Sequence, residues 1–280
     1  MPLRKFVKGT KPETAETVQA EQTQQKLDRP TADQIYEQVS RNGRRELNRA
    51  PLGLAISGLA GGMTMGLTGL STSIVRAILG AGPAAKLIAD LLYPIGFIAV
   101  IVGRAQLFTE NTLYPVALVL AERAYYWRTL RLWAIVLASN VIGALAFSWL
   151  AVRTGALRPE FVAAISELGV QAAAGLAFTH IFWSAVIGGW IIALVAWLVS
   201  GSHSITGSVM LIWLLTLVVG LGGFAHCVAS SGEILAAVLN HKMAASQYFS
   251  WLLPATLGNI AGGVLLVTLL EYGQVKGGEE

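Results

Sequence analysis

The amino-acid sequence predicts an all-α membrane protein whose six transmembrane helices form two inverted three-helix repeats. The 280 residues are 54% hydrophobic and only 13% charged, about half the charged share of a soluble globular protein. The charges also cluster, because residues 1–50 hold 10 of the 20 Lys+Arg and 7 of the 16 Asp+Glu. This composition excludes an ordinary soluble enzyme and a disordered chain.

Six apolar segments reach the length of about 20 residues that a membrane-spanning helix needs. They cover residues 51–72, 88–122, 129–152, 172–200, 206–240 and 250–273. The second and fifth segments are too long for one straight helix. We therefore expect each of them to be a broken helix, interrupted near residues 107–111 and 224–231.

The distribution of polar residues predicts three regions along the chain. Residues 1–49 form a cytoplasmic tail without the apolar run of a signal peptide, residues 50–273 the transmembrane channel domain, and residues 274–280 a short cytoplasmic tail. Arginines flank the first span at 41–49 and follow the second at 123–131. Because basic loops stay on the cytoplasmic side, both termini are expected there, in a multi-pass protein of the bacterial inner membrane.

A weak apolar stripe runs through residues 32–49 of the tail. It consists of Ile35, Tyr36, Val39 and Leu47, spaced among charged residues. The pattern predicts an amphipathic helix that lies on the membrane surface in contact with lipid. A helix that is simply solvated fits the same pattern equally well.

The third and sixth segments share a short motif. Asn140-x-x-Gly143 and Asn259-x-x-Gly262 are 119 residues apart, and each follows a predicted break by 32 or 33 residues. Chance recurrence in Gly-rich helices is the alternative. A true repeat of three spans must be inverted, and inverted repeats with interrupted helices form a solute site where backbone groups face a cavity.

Ionisable residues inside spans are costly and usually face the bundle interior. Four lie at or beside the breaks, namely Arg104, Glu110, His226 and Glu233. A buried neutral histidine can donate or accept a proton, so His226 is the predicted proton relay. We expect Arg104 and Glu233 to form a structural ion pair. Glu110 either caps the second half-helix or lines the pore and repels anions.

The sequence contains no motif that is typical of catalysis or metal binding. It contains neither G-x-S-x-G nor H-E-x-x-H, and its single cysteine, Cys227, allows no internal disulfide and no zinc pattern. We expect no enzymatic activity, no cofactor, no metal and no nucleic-acid partner.

Three motifs in order give the chain a family resemblance. Leu107-Phe108-Thr109-x-Asn111, Gly223-Phe224-x-His226 and Gly258-Asn259-Ile260-x-Gly262-Gly263 resemble the formate/nitrite transporter family, and residues 104–112 are most similar to its YfdC-like branch. The resemblance implies an aquaporin-like fold and a homopentamer with one pore per subunit. It also implies transport of a small monovalent anion, such as formate or nitrite, often with a proton.

The resemblance also suggests roles for individual residues. It assigns a constriction to Leu107, Phe108, Thr109 and Glu110, and it makes His226 the pore histidine. Four further residues are predicted to line the pore or anchor its loops: Asn111, Asn140, Ser230 and Asn259.

Two departures from the family pattern leave the solute open. Ser230 stands where an asparagine is usual, and alanines at 172–174 occupy the region of a vestibule lysine that attracts anions. Lys86 or Lys242 could replace that lysine from a loop. A pore for a neutral or cationic solute, and a membrane scaffold that transports nothing, are the alternatives to an anion pore.

Overall fold

The computed structural model describes residues 30–80 and 82–277, and all regular structure in this part of the chain is helical. Six helical segments are long and apolar enough to cross a membrane. They are Pro51–Leu79, Pro83–Val102, Tyr126–Arg153, Phe178–Ser200, Ile205–Gly222 and Ala245–Val275. The predicted number of spans is confirmed. The predicted tail residues 1–29 and 278–280 lie outside the described residues.

The helices are labelled in chain order. They are α1 (Ala32–Leu47), α2 (Pro51–Leu79), α3 (Pro83–Leu92), α4 (Ile95–Val102), α5 (Tyr114–Glu122), α6 (Tyr126–Arg153), α7 (Pro159–Ala173), α8 (Phe178–Ser200), α9 (Ile205–Gly222), α10 (Ala229–Leu239), α11 (Ala245–Gly263) and α12 (Leu269–Gly277). Proline occupies the first turn of α2, α3, α5 and α7, where its missing N–H costs nothing. A π-helical turn over Val264–Thr268 joins α11 to α12, so the last helix runs past the predicted boundary at residue 273.

The second and fifth spans are broken, as the sequence predicts. The second span runs through α3 and α4, leaves helical geometry after Val102 and resumes as α5. The fifth span stops at the end of α9 and resumes as α10. Each first half ends on a left-handed residue, Arg104 with φ 60° and Gly223 with φ 61°. Glycine adopts this conformation freely, whereas an arginine pays about 1 kcal/mol for it.

The two halves of the chain repeat the same order of helices. The first spans of the halves, α2 and α8, begin 127 residues apart, whereas the third spans, α6 and α11, begin 119 residues apart. Because each half has three spans, the second half crosses in the opposite sense. A uniform shift of 119 residues does not hold for the first spans, mainly because α2 has 29 residues and α8 only 23.

The predicted amphipathic helix is present as α1, and its apolar side packs against protein. The Tyr36 hydroxyl donates to the Ala117 carbonyl oxygen of α5 at 2.8 Å, and Arg44 forms an ion pair with Glu122. A Cβ at Gly43 would collide with the Tyr114 carbonyl. The apolar stripe of α1 thus packs on α5, so protein contacts cover it.

Helix α7 occupies the place of α1 in the second half. It begins at Pro159, 127 residues after Ala32, and it packs against α10 as α1 packs against α5. Its charged residues Arg158, Glu160 and Glu167 resemble those of a connecting loop, so the sequence pattern alone does not indicate this helix. The domain boundary at 49/50 stays a prediction.

Small residues let the first and third helices of each half approach closely. In the first half, a Cβ at Gly62 would collide with the Asn140 carbonyl oxygen. In the second half, a Cβ at Gly189 would collide with the Asn259 carbonyl oxygen. The motif asparagines therefore sit directly against glycines of the neighbouring helix.

We predict that Gly62→Ala and Gly189→Ala each lower the Tm of the detergent-solubilised protein. The added methyl group must push two helices apart, which costs about 1–3 kcal/mol. Gly53→Ala is the matched control, because nothing lies within 4 Å of a Cβ at that position. Equal Tm values for Gly189→Ala and Gly53→Ala would contradict this packing.

Candidate functional site

The loop that breaks the second span is fastened by the side chain of Asn140 on α6. Its Oδ1 accepts a hydrogen bond from the Phe108 N–H at 2.9 Å, and its Nδ2 donates to the carbonyl oxygens of Gly58 at 2.7 Å and Gln106 at 2.9 Å. The Gln106 N–H is also held, by the Ser57 hydroxyl oxygen at 3.2 Å. One buried amide thus bonds to two backbone groups of the loop, at Gln106 and Phe108, and to one carbonyl group of α2.

Asn259 on α11 makes the equivalent set of bonds in the second half. Its Oδ1 accepts from the Cys227 N–H at 2.8 Å, and its Nδ2 donates to the carbonyl oxygens of Ala185 at 2.8 Å and Ala225 at 3.0 Å. The Ala225 N–H donates to the Ser184 hydroxyl at 3.0 Å. Bond for bond, these partners match those of Asn140, so the repeat extends to individual hydrogen bonds.

The two loops bring Thr109 and His226 together. The Thr109 Oγ1 lies 2.8 Å from the His226 Nε2, and both residues are fully buried. The His226 Nδ1 accepts from the Ala229 N–H at 3.0 Å and, more weakly, from the Val228 N–H at 3.4 Å. Since Nδ1 accepts, we assign the proton of the neutral ring to Nε2, which donates to Thr109.

Apolar side chains surround this polar pair. Leu107 and Phe108 are buried, and the Phe97 ring meets the His226 ring edge-on with centroids 5.1 Å apart. In such surroundings the Thr109 hydroxyl hydrogen remains available as a donor. A small acceptor solute is the kind of partner that such a group can bind.

A small cavity of about 40 Å³ opens beside α1, and it is called the α1-side vestibule here. Its lining comprises Asn42, Arg45, Glu46, Ile101, Arg104, Ala105, Gln106, Glu110, Asn111 and Tyr114. Asn111 braces the loop by donating to the Gln106 Oε1 at 2.8 Å and the Leu107 carbonyl oxygen at 3.1 Å. Gln106 in turn donates to the Glu46 Oε2 at 2.8 Å, so helix α1 is connected to the constriction loop.

Glu110 lines the α1-side vestibule with a buried side chain that is 8% exposed. Tyr114 and Arg104 line the same vestibule. No side chain caps the N-terminus of α5. Of the two roles that the sequence leaves open for Glu110, this position favours lining the pore.

A larger cavity of about 190 Å³ lies beside α7 and is called the α7-side vestibule here. Its polar and charged lining residues are Thr72, Arg76, Lys86, Asp90, Tyr93, Gln171, Ser230 and Glu233. Arg76 donates to the Gln171 Oε1 at 3.0 Å, and Lys86 forms an ion pair with Asp90 at 2.5 Å. Ala172, from the region where the resemblance implies a vestibule lysine, lines this cavity as well. Arg76 and Lys86 supply the positive charge there instead.

The predicted ion pair between Arg104 and Glu233 is wrong. Arg104 lines the α1-side vestibule and Glu233 the α7-side vestibule, and no ion pair within 4 Å joins them in the described part of the chain. The two positions are not equivalent in the repeat, because at the offset of 119 residues Arg104 corresponds to Gly223 and Glu233 to Tyr114. Arg104 shares its vestibule with Glu110, and Arg76 shares its vestibule with Glu233.

Residues 33–273 match the family model described as formate/nitrite transporter. The chain belongs to the formate/nitrite transporter family. It is 32% identical over 249 residues to the inner membrane protein YfdC of Escherichia coli (strain K12), which covers 86% of this chain and 78% of that protein. It is 31% identical over 246 residues to a probable formate transporter of Methanothermobacter thermautotrophicus, covering 80% and 89%.

Solved structures of this family share the fold. A pentameric formate channel with formate bound superposes with a TM-score of 0.68 over 81% of this chain and 97% of that chain, at 20% identity. An FNT family ion channel gives a TM-score of 0.71 over 87% and 98%, also at 20% identity. These matches confirm the predicted family, its YfdC-like branch and the aquaporin-like fold, and they confirm that the protein is a membrane transport protein and not an enzyme.

Sequence reasoning named Thr109 and His226 singly but missed their contact, and it missed the charged cluster of the α7-side vestibule. Arg76 and Asp90 lie near the ends of spans, where a charge in the sequence looks the same whether it faces a loop or a cavity. Glu46 was missed for the same reason. The opposite faces of the two vestibules follow only from the folded repeat.

We predict that Asn140→Asp and Asn259→Asp both lower the Tm and the yield of folded protein. A carboxylate keeps the acceptor but loses the Nδ2 donor, so two buried carbonyl groups each lose a partner at a cost of about 1–3 kcal/mol. Asn48→Asp is the control, because Asn48 is exposed. If Asn259→Asp were tolerated as well as the control substitution, the amide would not be what holds the loop.

Proposed function

We propose that this protein carries a small monovalent weak-acid anion, such as formate or nitrite, together with a proton through a pore in each subunit. The observation that carries the proposal is the buried Thr109–His226 pair. Thr109 directly precedes Glu110 of the α1-side vestibule, and His226 lies four residues before Ser230 of the α7-side vestibule. Family membership and the names of the relatives support the class of solute.

In this proposal the pair acts as a hydrogen-bond donor to the passing solute. The backbone N–H bonds to His226 Nδ1 fix the ring so that Nε2 donates to Thr109. The Thr109 hydroxyl then donates its own hydrogen to an oxygen of the solute. The narrow apolar wall of Leu107, Phe108 and Phe97 favours small solutes and keeps water from competing for that donor.

We further propose a homopentamer in the bacterial inner membrane with both termini on the cytoplasmic side. One structural neighbour is a pentameric channel, and the E. coli relative is an inner membrane protein. Large apolar side chains such as Ile56, Trp149 and Phe249 are exposed on the subunit, as contact with lipid or with further copies requires. Arginines 41–49 and 123–131 support the orientation.

A neutral or cationic solute is the second candidate. The observation that favours it is the pair of carboxyl groups lining the two vestibules, Glu110 and Glu233. In the α7-side vestibule Arg76 and Lys86 oppose this effect, which is why we rank the anion first.

Uptake into proteoliposomes that contain a pH dye separates these candidates. The panel is formate, nitrite, hydrosulfide, ammonium and glycerol, each at two external pH values. We expect uptake of the anions that rises as the external pH falls, because a proton enters with each anion. Uptake of ammonium or glycerol without the anions would replace the first candidate by the second, and no uptake at all would indicate a scaffold.

Substituting Thr109 tests whether its hydroxyl group donates a hydrogen bond to the solute. We predict that Thr109→Val lowers formate uptake by about 3- to 10-fold, the effect of losing one hydrogen bond of about 1 kcal/mol, whereas Thr109→Ser keeps most of it. Thr129→Val is a matched control, because the Thr129 hydroxyl is buried and without a hydrogen-bond partner. Full activity of Thr109→Val would remove the hydroxyl from the transport step.

A further inference from the structure

Glu233 is a buried acidic residue that packs against glycines of two neighbouring helices. It lies in the first half of α10, is 9% exposed and lines the α7-side vestibule. A Cβ at Gly69 of α2 would collide with the Glu233 side chain, and a Cβ at Gly169 of α7 would collide with its carbonyl oxygen. Two glycines from different helices therefore make room for a buried carboxyl group.

The carboxyl group of Glu233 is unpartnered. Among the residues that the structure describes, its oxygens make no hydrogen bond and no ion pair within 4 Å. Two other buried acids are engaged: Glu46 with Arg49 and Gln106, and Asp90 with Lys86. Burying a carboxyl group without a partner costs folding free energy. Its presence beside a cavity therefore points to a functional role.

Polar and charged groups of α2, α3 and α7 surround Glu233 in the α7-side vestibule. Arg76 faces it from α2, the Lys86–Asp90 pair from α3, and Tyr93 from the end of α3. From α7 the neutral Gln171 holds Arg76 in place. A monovalent anion drawn in by Arg76 therefore comes to lie beside the Glu233 carboxyl group.

From this vestibule the polar groups continue toward the buried pair. Ser230 lies one helical turn before Glu233, lines the same cavity, and donates its backbone N–H to the His226 carbonyl oxygen at 3.1 Å. Phe224 also lines the cavity, and Phe97 packs on the His226 ring. The next part of the path is therefore apolar.

We propose that Glu233 is the proton donor of this transporter for the weak-acid anion, an inference that rests on the function proposed above. The Glu233 O–H bond breaks as an O–H bond forms on the anion held beside Arg76. The neutral acid then passes the Phe97, Phe224 and Leu107 side chains, and the Glu233 carboxylate regains a proton from hydronium in the vestibule. No oxidant, reductant or further group is needed.

Two physical arguments support Glu233 over His226 in this role. The neutral His226 ring accepts backbone N–H bonds at Nδ1, so giving up the Nε2 proton would leave an imidazolate, which is a far stronger base than the solute. A side-chain carboxyl group and a carboxylate solute are of similar acid strength, so proton transfer between them is close to balanced. Crossing the apolar stretch as a neutral acid also avoids burying a charge.

The test measures formate and proton uptake together in proteoliposomes at acid external pH. We expect the wild-type protein to take up protons with formate, Glu233→Gln to reduce that proton-linked uptake by about tenfold or more, and Glu233→Asp to restore part of it. Glu160→Gln is the matched control, because Glu160 is an exposed glutamate on α7. Size-exclusion profiles check the assembly of each variant.

Each outcome decides a different point. Wild-type uptake with an unchanged proton-to-formate ratio in Glu233→Gln overturns the role of Glu233 and leaves the proposed function intact, whereas a wild-type protein without anion uptake overturns both. If Glu233→Gln does not assemble, Arg76→Gln takes its place. Removing the facing cation should move half-maximal uptake to higher external pH, and an unchanged pH profile in that variant would overturn the inference.

Discussion

The side-chain amides of Asn140 and Asn259 hold the two interrupted helices inside the apolar body. A membrane offers no water to exposed backbone groups, so a break in a spanning helix survives only where other groups satisfy it. Each asparagine supplies one acceptor and two donor bonds to its loop and to the neighbouring helix. The position of Thr109 and His226 depends on these bonds, because both residues lie on the loops.

Close helix packing is the second condition for these bonds. An asparagine side chain reaches the neighbouring helix only when the two backbones are nearly in contact, and Gly62 and Gly189 allow this on the two sides of the fold. Helices α1 and α7 then cover the outer half-helices α5 and α10. In both halves the same three features, an amide, a glycine and a covering helix, hold one loop.

Much of this architecture could be predicted from sequence because its signals are local. The length of an apolar run indicates a span, and the recurring Asn-x-x-Gly indicates a repeat. The docking of α1 could not be predicted, because the Tyr36 and Val39 stripe is the same whether it covers lipid or protein. The pairing of charges failed for a related reason: Arg104 and Glu233 each lie near a break, but the sequence does not show which vestibule each residue lines.

The site itself arises where the two halves differ. At the shared offset of 119 residues, Thr109 corresponds to Val228 and His226 corresponds to Leu107. Each half thus contributes one polar side chain at a position where the other half contributes an apolar one. An exact repeat would give either two facing polar pairs or none. The divergence of the halves at these two positions leaves one hydrogen-bonded pair in an apolar wall, which is the arrangement that can bind a single small solute without holding it strongly.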